Sequence, residues 1–183
     1  MKILSKRKWT SLAALTLFLS TLSLNVFAYP YNTAMSSAKG FENGSSRHRQ
    51  IKYYQYGDAD WSDAVDHGVN QINDSSAAIS CYYTDSYNDA NIVVSSNYWP
   101  SVSWSGQTAQ KLNNYSAQKI VKLNSSQEPS NWLSKGIVTH ELCHVWGVND
   151  CENGSSIECG YDDVRTVNSI TSDVTSLFEQ RYN

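Results

Sequence analysis

The chain has 183 residues, with 14 Lys+Arg against 17 Asp+Glu, 40% apolar residues and four cysteines. That length suits one domain with a real core, and so much apolar content with so little net charge excludes a disordered chain. Nothing repeats at a fixed period, which excludes solenoids and propellers, and the acidic balance argues against a nucleic-acid binder.

Lys2, Lys6, Arg7 and Lys8 form a cationic start, residues 11–24 (SLAALTLFLSTLSL) are apolar, and Val26-Phe27-Ala28 puts small or aliphatic residues at the −3 and −1 positions. This is the layout of a secretory signal peptide over residues 1–28, cleaved between Ala28 and Tyr29. The apolar run is short for a membrane anchor, and Ser and Thr interrupt it. The expected product is secreted and extracellular, with no membrane attachment after cleavage. Four basic residues leave with the signal, so 10 Lys+Arg face 17 acids, a net −7 that disfavours anionic lipid and nucleic acid. Cys81, Cys143, Cys151 and Cys159 all remain, and an even count in an exported chain predicts two disulfides. Cys151 and Cys159 bracket Asn153-Gly154-Ser155-Ser156, a natural tight loop, so we expect them to pair and Cys81 to pair with Cys143.

Residues 29–50 are polar with Gly and Ser punctuation and read as a loosely ordered lead-in, with His48 a solvated loop residue. Residues 51–56 (IKYYQY) alternate as a strand. Asp60 then reads as a helix N-cap, followed by Trp61, Ala64, Val65, Val69 and Ile72 on one buried stripe; His67 falls off that stripe and is placed at the surface. Strands are expected over 78–84 (AISCYYT), 91–96 (NIVVSS) and 119–124 (KIVKLN). Between the last two lies a long stretch, 97–117, in which Trp99 and Trp104 either pack under the loop or line a binding surface. A second helix starts at Ser130 or Asn131, carries Leu133, Ile137, Val138, Leu142 and Val145, and ends at Gly147. A last helix starts near residue 172 with Val174, Leu177 and Phe178 on one face. This pattern predicts an α+β or α/β layered domain over residues 51–183.

The second helix carries Thr139-His140-Glu141-Leu142-Cys143-His144. His140 and His144, four residues apart, project from one helical face and can reach one ion at the ~2.0–2.1 Å Zn–N distance. Glu141 lies about 100° further round, where a carboxylate can accept a proton from water on the metal. Two histidines leave a tetrahedral ion short of a third protein ligand. Gly147 lets the chain turn sharply and return Asp150 beneath the ion; the alternative for Asp150 is a turn-forming role, with Glu152 and Asp162 as reserve ligands. No C-x-x-C spacing exists to hold a second metal on cysteines.

The run His140-Glu141-x-x-His144-x-x-Gly147-x-x-Asp150 resembles the long zinc motif of the metzincin metallopeptidases. Its terminal Asp is similar to that of small secreted bacterial proteases of the snapalysin type. The resemblance implies an α+β fold: a twisted, mixed, mainly parallel sheet over an N-terminal helix and an active-site helix, plus a C-terminal helix. It also implies an edge strand above the cleft that pairs with extended substrate, for which 91–96 stands in a suitable place. Metzincins have a Met-containing turn beneath the metal, yet Met35 is the only methionine after residue 28. In the corresponding place stands Ser156-Ile157-Glu158-Cys159-Gly160-Tyr161, where Cys159 either stands in for the Met as a soft apolar sulfur or, bonded to Cys151, ties the Asp150 loop to the turn. By the same resemblance, Tyr161 binds the oxyanion or the ion, against a plain packing role.

The expectation is a secreted, monomeric zinc metalloendopeptidase acting on protein or peptide substrates, with one catalytic Zn2+. His140, His144 and Asp150 are its metal ligands; Glu141, as general base, and Tyr161 are its catalytic residues. The alternative is a non-catalytic exported binding module with structural zinc or none, using the aromatic surface around Trp99 and Trp104.

Overall fold

The computed structural model of the protein describes residues 33–42 and 50–183; the expected signal peptide and His48 lie outside the described residues. In chain order the elements are β1 (Ala34–Met35), β2 (Ile51–Gly57), α1 (Ser62–Asn73), β3 (Cys81–Tyr83), β4 (Ile92–Asn97), β5 (Gly106–Ala109), β6 (Lys119–Asn124), α2 (Asn131–Val145), β7 (Val148–Asn149) and α3 (Ser172–Tyr182). The five-stranded sheet has the order β3-β2-β4-β6-β5. Its first four strands run parallel and β5 closes one edge antiparallel to β6. The expected α+β architecture, a mixed and mainly parallel sheet over two helices with a C-terminal helix, is what the chain forms.

The core follows from strand alternation. Ile51, Tyr53, Ile92, Val94, Val121 and Leu123 point from one sheet face onto the helices and are buried. Trp61, Ala64, Val65, Val69 and Ile72 of the expected stripe are buried on and just before α1, which a short 3-10 turn at Ala59–Trp61 opens instead of an Asp60 side-chain cap. Apolar residues surround α2 on nearly every side because it is the central helix. Ser130 caps it, its hydroxyl accepting from the Leu133 amide. At its far end Gly147 takes φ +100°, where an added Cβ would lie 2.7 Å from Arg181 Nη1, so only glycine turns the chain there.

Three expectations are corrected. First, the loose lead-in contains β1, which pairs antiparallel with β7, and Phe41, which packs edge-on against Trp146 at 4.8 Å. Arg181 fastens this segment by donating to the carbonyls of Ser36, Lys39 and Phe41. Second, β4 is a central strand hydrogen-bonded on both sides, so it cannot be the edge strand over a cleft; its buried run suits a strand covered on both faces. The edge is β5, within the stretch read as loop. Third, all four cysteines are free and buried. Cys151 and Cys159 do meet, but through a backbone bridge. Their thiols face the carbonyls of Asn153 and Tyr161 instead of each other.

Candidate metal centre

One turn of α2 and the bend after it bring three donor atoms together. His140 Nε2 lies 3.3 Å and His144 Nε2 3.4 Å from Asp150 Oδ1. The ring nitrogens on the opposite edge are committed: His140 Nδ1 donates to the Ile157 carbonyl at 2.9 Å and His144 Nδ1 to the Val148 carbonyl at 2.8 Å. A carbonyl only accepts, so a proton sits on each Nδ1, and each Nε2, turned toward Asp150, is the ring atom placed to bind a cation. Bonds of ~2.0–2.1 Å in a tetrahedron put ligand atoms about 3.3–3.4 Å apart, so the donor spacing fits zinc. Among the described residues, His140, His144 and Asp150 are the cluster able to hold a metal. Of the reserve ligands, Asp162 is instead paired with Arg165 at 3.1 Å, and Glu152 is outside the cluster.

The charges support the same reading. Asp150 is held well below the usual carboxylate range, because hydrogen bonds and charge from both imidazoles outweigh its partial burial. Burial opposes a charge on His144, but Glu158, Asp150 and Glu141 outweigh it and lift the imidazole to about 10. The acidic surroundings that hold a proton on His144 are suited to a metal cation in its place.

Glu141 projects from the same turn, 5% exposed. Its carboxylate is held from across the cleft: Thr108 Oγ1 on β5 lies 2.6 Å from Glu141 Oε2. The close approach of β5 to α2 needs Gly106, where a Cβ would stand 2.7 Å from Glu141 Oε1. Two residues beyond Thr108, Gln110 donates to the His144 carbonyl at 2.5 Å and accepts from the Gly40 amide at 3.0 Å, tying helix, edge segment and N-terminal segment together. A cleft of 870 Å³ opens over the site, walled by β5 on one side and by Gly160 to Asp163 on the other, with Trp104 and Tyr161 in its lining. Trp99 and Trp104 pack at 5.3 Å, and the Asn124 amide donates to both their carbonyls. Tyr161 is 43% exposed there. His67 is not part of this cluster; it is half-buried and bonded to the Asn168 carbonyl.

The floor differs from expectation. Cys159 turns its thiol toward the Tyr161 carbonyl, and the side chain beneath the imidazoles is that of Glu158, fully buried, with Oε2 3.2 Å from His144 Nδ1 and 3.9 Å from His140 Nδ1. Burial pushes the Glu158 carboxyl up, against the pull of the two imidazoles. Burial and Glu158 also push the Cys143 thiol well up, which keeps it unreactive. Thr108, Gln110 and Glu158 carried no sequence signal: a Thr or Gln in a polar stretch is ordinary, and nothing local shows which of two adjacent turn residues points inward.

No family model matches the chain, and no curated protein sequence matches it. Among solved structures it is similar to one titled metalloproteinase-II from Bacteroides fragilis, at a TM-score of 0.45 and 10% identity, over 85% of this chain and 59% of that one. This chain therefore spans less than two thirds of that protein's length. Among the described residues, no helix is long and apolar enough to cross a membrane.

Proposed function

We propose that the protein is a secreted zinc metalloendopeptidase of the metzincin type, hydrolysing peptide bonds in protein substrates as a monomer. The observation that carries this reading is the convergence of His140 Nε2, His144 Nε2 and Asp150 Oδ1 at zinc-ligand spacing, with Glu141 beside them.

When bound, zinc supplies a Lewis acid for water and for the carbonyl of the scissile bond. Glu141 takes the proton of the attacking water and passes it to the departing amine nitrogen. Thr108 holds that carboxylate in place, leaving Oε1 for the proton. Tyr161, in the opposite wall of the cleft, donates its hydroxyl to the oxyanion of the tetrahedral intermediate. The free edge of β5 takes an extended peptide by strand addition, in the role first assigned to 91–96.

Metal analysis combined with a casein digest tests the reading. One zinc per chain and cleavage abolished by a chelator are expected. Glu141→Gln should keep zinc and lose hydrolysis by orders of magnitude, whereas His140→Ala should lose the metal. A purified chain that holds zinc and cleaves nothing would favour the binding module; one that takes up no zinc would end both the ligand and the hydrolase assignments.

A further inference from the structure

Glu158 presents an unusual arrangement. Its carboxylate has no exposure at all, and neither oxygen has a well-directed hydrogen bond. Burying such a group alone is costly, because the lost hydration is not replaced. Among the described residues no Lys or Arg pairs with it: Arg165, the nearby buried cation, is committed to Asp162 and to the Cys159 carbonyl. The groups Glu158 faces are the two imidazoles, from the side away from Asp150, and the buried Cys143 thiol. Its Oε2 lies 3.2 Å from His144 Nδ1 and 3.9 Å from His140 Nδ1, while those N–H groups point at the Val148 and Ile157 carbonyls. One carboxyl group therefore sits off-axis behind both rings.

We infer that Glu158 is a positioning residue for the metal centre, fixing the orientation of His140 and His144 and setting the affinity of the site for a divalent cation. The inference rests on the ligand assignment made above. Two effects act together. An acceptor behind each ring reinforces the Nδ1–H tautomer and resists rotation, keeping both Nε2 lone pairs turned toward Asp150. A carboxylate buried in low dielectric beneath the rings also makes them better donors. The buried acid without a cation of its own is accounted for by a cation held on the far edge of the two imidazole rings.

The test uses the full chain, stripped of metal and titrated with zinc against a chelating indicator, beside Glu158→Gln and Glu158→Met. Removing an outer partner of a metal-bound histidine typically weakens metal affinity ~10–100-fold, and that loss is expected for both variants. Circular dichroism of the metal-free variants should match the parent, and the visible spectrum of the cobalt-loaded Gln variant should shift, which a purely space-filling role would not cause. If the parent takes up one zinc and both variants hold it within threefold as tightly with an unchanged cobalt spectrum, Glu158 does not tune the site. Failure of both variants to fold would likewise overturn the assignment, making Glu158 a folding residue. If the parent itself takes up no zinc, the ligand assignment falls first and this inference with it.

Discussion

Thr108 Oγ1 lies 2.6 Å from Glu141 Oε2 and 2.8 Å from the Glu141 backbone carbonyl, joining the edge strand to the central helix at the residue assigned as base. The strand that would hold a peptide and the carboxylate that would act on it thus share one register. A hydrogen bond to a charged group contributes roughly 1.5–3 kcal/mol.

Thr108→Val should therefore lower kcat by about tenfold or more while zinc content stays at the parental level. Thr108→Ser, which keeps the hydroxyl, should retain most of the activity. Steady-state kinetics on a fluorogenic peptide decide this; equal kcat for the Val variant would dismiss the contact.

Gly106 lets β5 approach α2, since a Cβ there would meet Glu141 Oε1 at 2.7 Å and Ile137 Cγ2 at 2.8 Å. Gly106→Ala should force the strand off the helix, costing about 1–3 kcal/mol as overpacking does. Thermal unfolding reads the loss, and an unshifted melting temperature would show that the gap is wider than described.

Asp150 and Asp162 should separate cleanly. Asp150→Ala would remove the proposed third ligand and should weaken zinc binding by more than the ~10–100-fold typical of outer partners. Asp162→Asn, which touches only the Arg165 pair, should leave zinc binding unchanged. Reversal of that order in a competition titration would reassign the third ligand.

Four buried free thiols make a prediction of their own. A disulfide would contribute about 2–4 kcal/mol, so its reduction would lower the melting temperature by several degrees. Melting with and without dithiothreitol should coincide, and thiol titration of the unfolded chain should count four. A lower count would restore the pairing expected from the cysteine spacing.

Asp173, in the first turn of α3, accepts from Ser156 Oγ at 2.7 Å and from Thr33 Oγ1. Burial acts to raise its pKa, but hydrogen bonds from Thr171, Thr33 and Ser156 outweigh it and the carboxyl is held low. Because the folded value lies below the unfolded one of about 3.9, the unfolded chain takes up the proton first. The stabilisation is complete above that value and is lost as pH falls through it. Solvent screening of this half-exposed group limits it to about 1 kcal/mol or less. Urea unfolding of the parent and Asp173→Asn should differ most at pH 6, with the gap narrowing as pH falls below about 3.9; a gap that stays constant below that value would place the effect in packing instead.

The amino-acid sequence alone determined the turn that gathers the His140, His144 and Asp150 cluster. His140, Glu141 and His144 are set by the helical period, and Gly147 and Asp150 by the residue types that end a helix, so short-range geometry was enough. It also determined the stripe of α1 and the presence of β2, β4 and β6, because helical spacing and short β-prone runs mark them; that these strands run parallel came only from the resemblance. Tertiary structure alone decided the edge strand, the floor and the thiols. The polar segment that holds β5 becomes a strand by pairing with β6 and by Gly106 fitting against α2, contacts remote in sequence. Whether Glu158 or Cys159 faces the imidazoles depends on the path of the turn, held by the Arg165 guanidinium on the Cys159 carbonyl. Local periodicity shows which face of an element is buried; it is silent on what a distant segment places against that face.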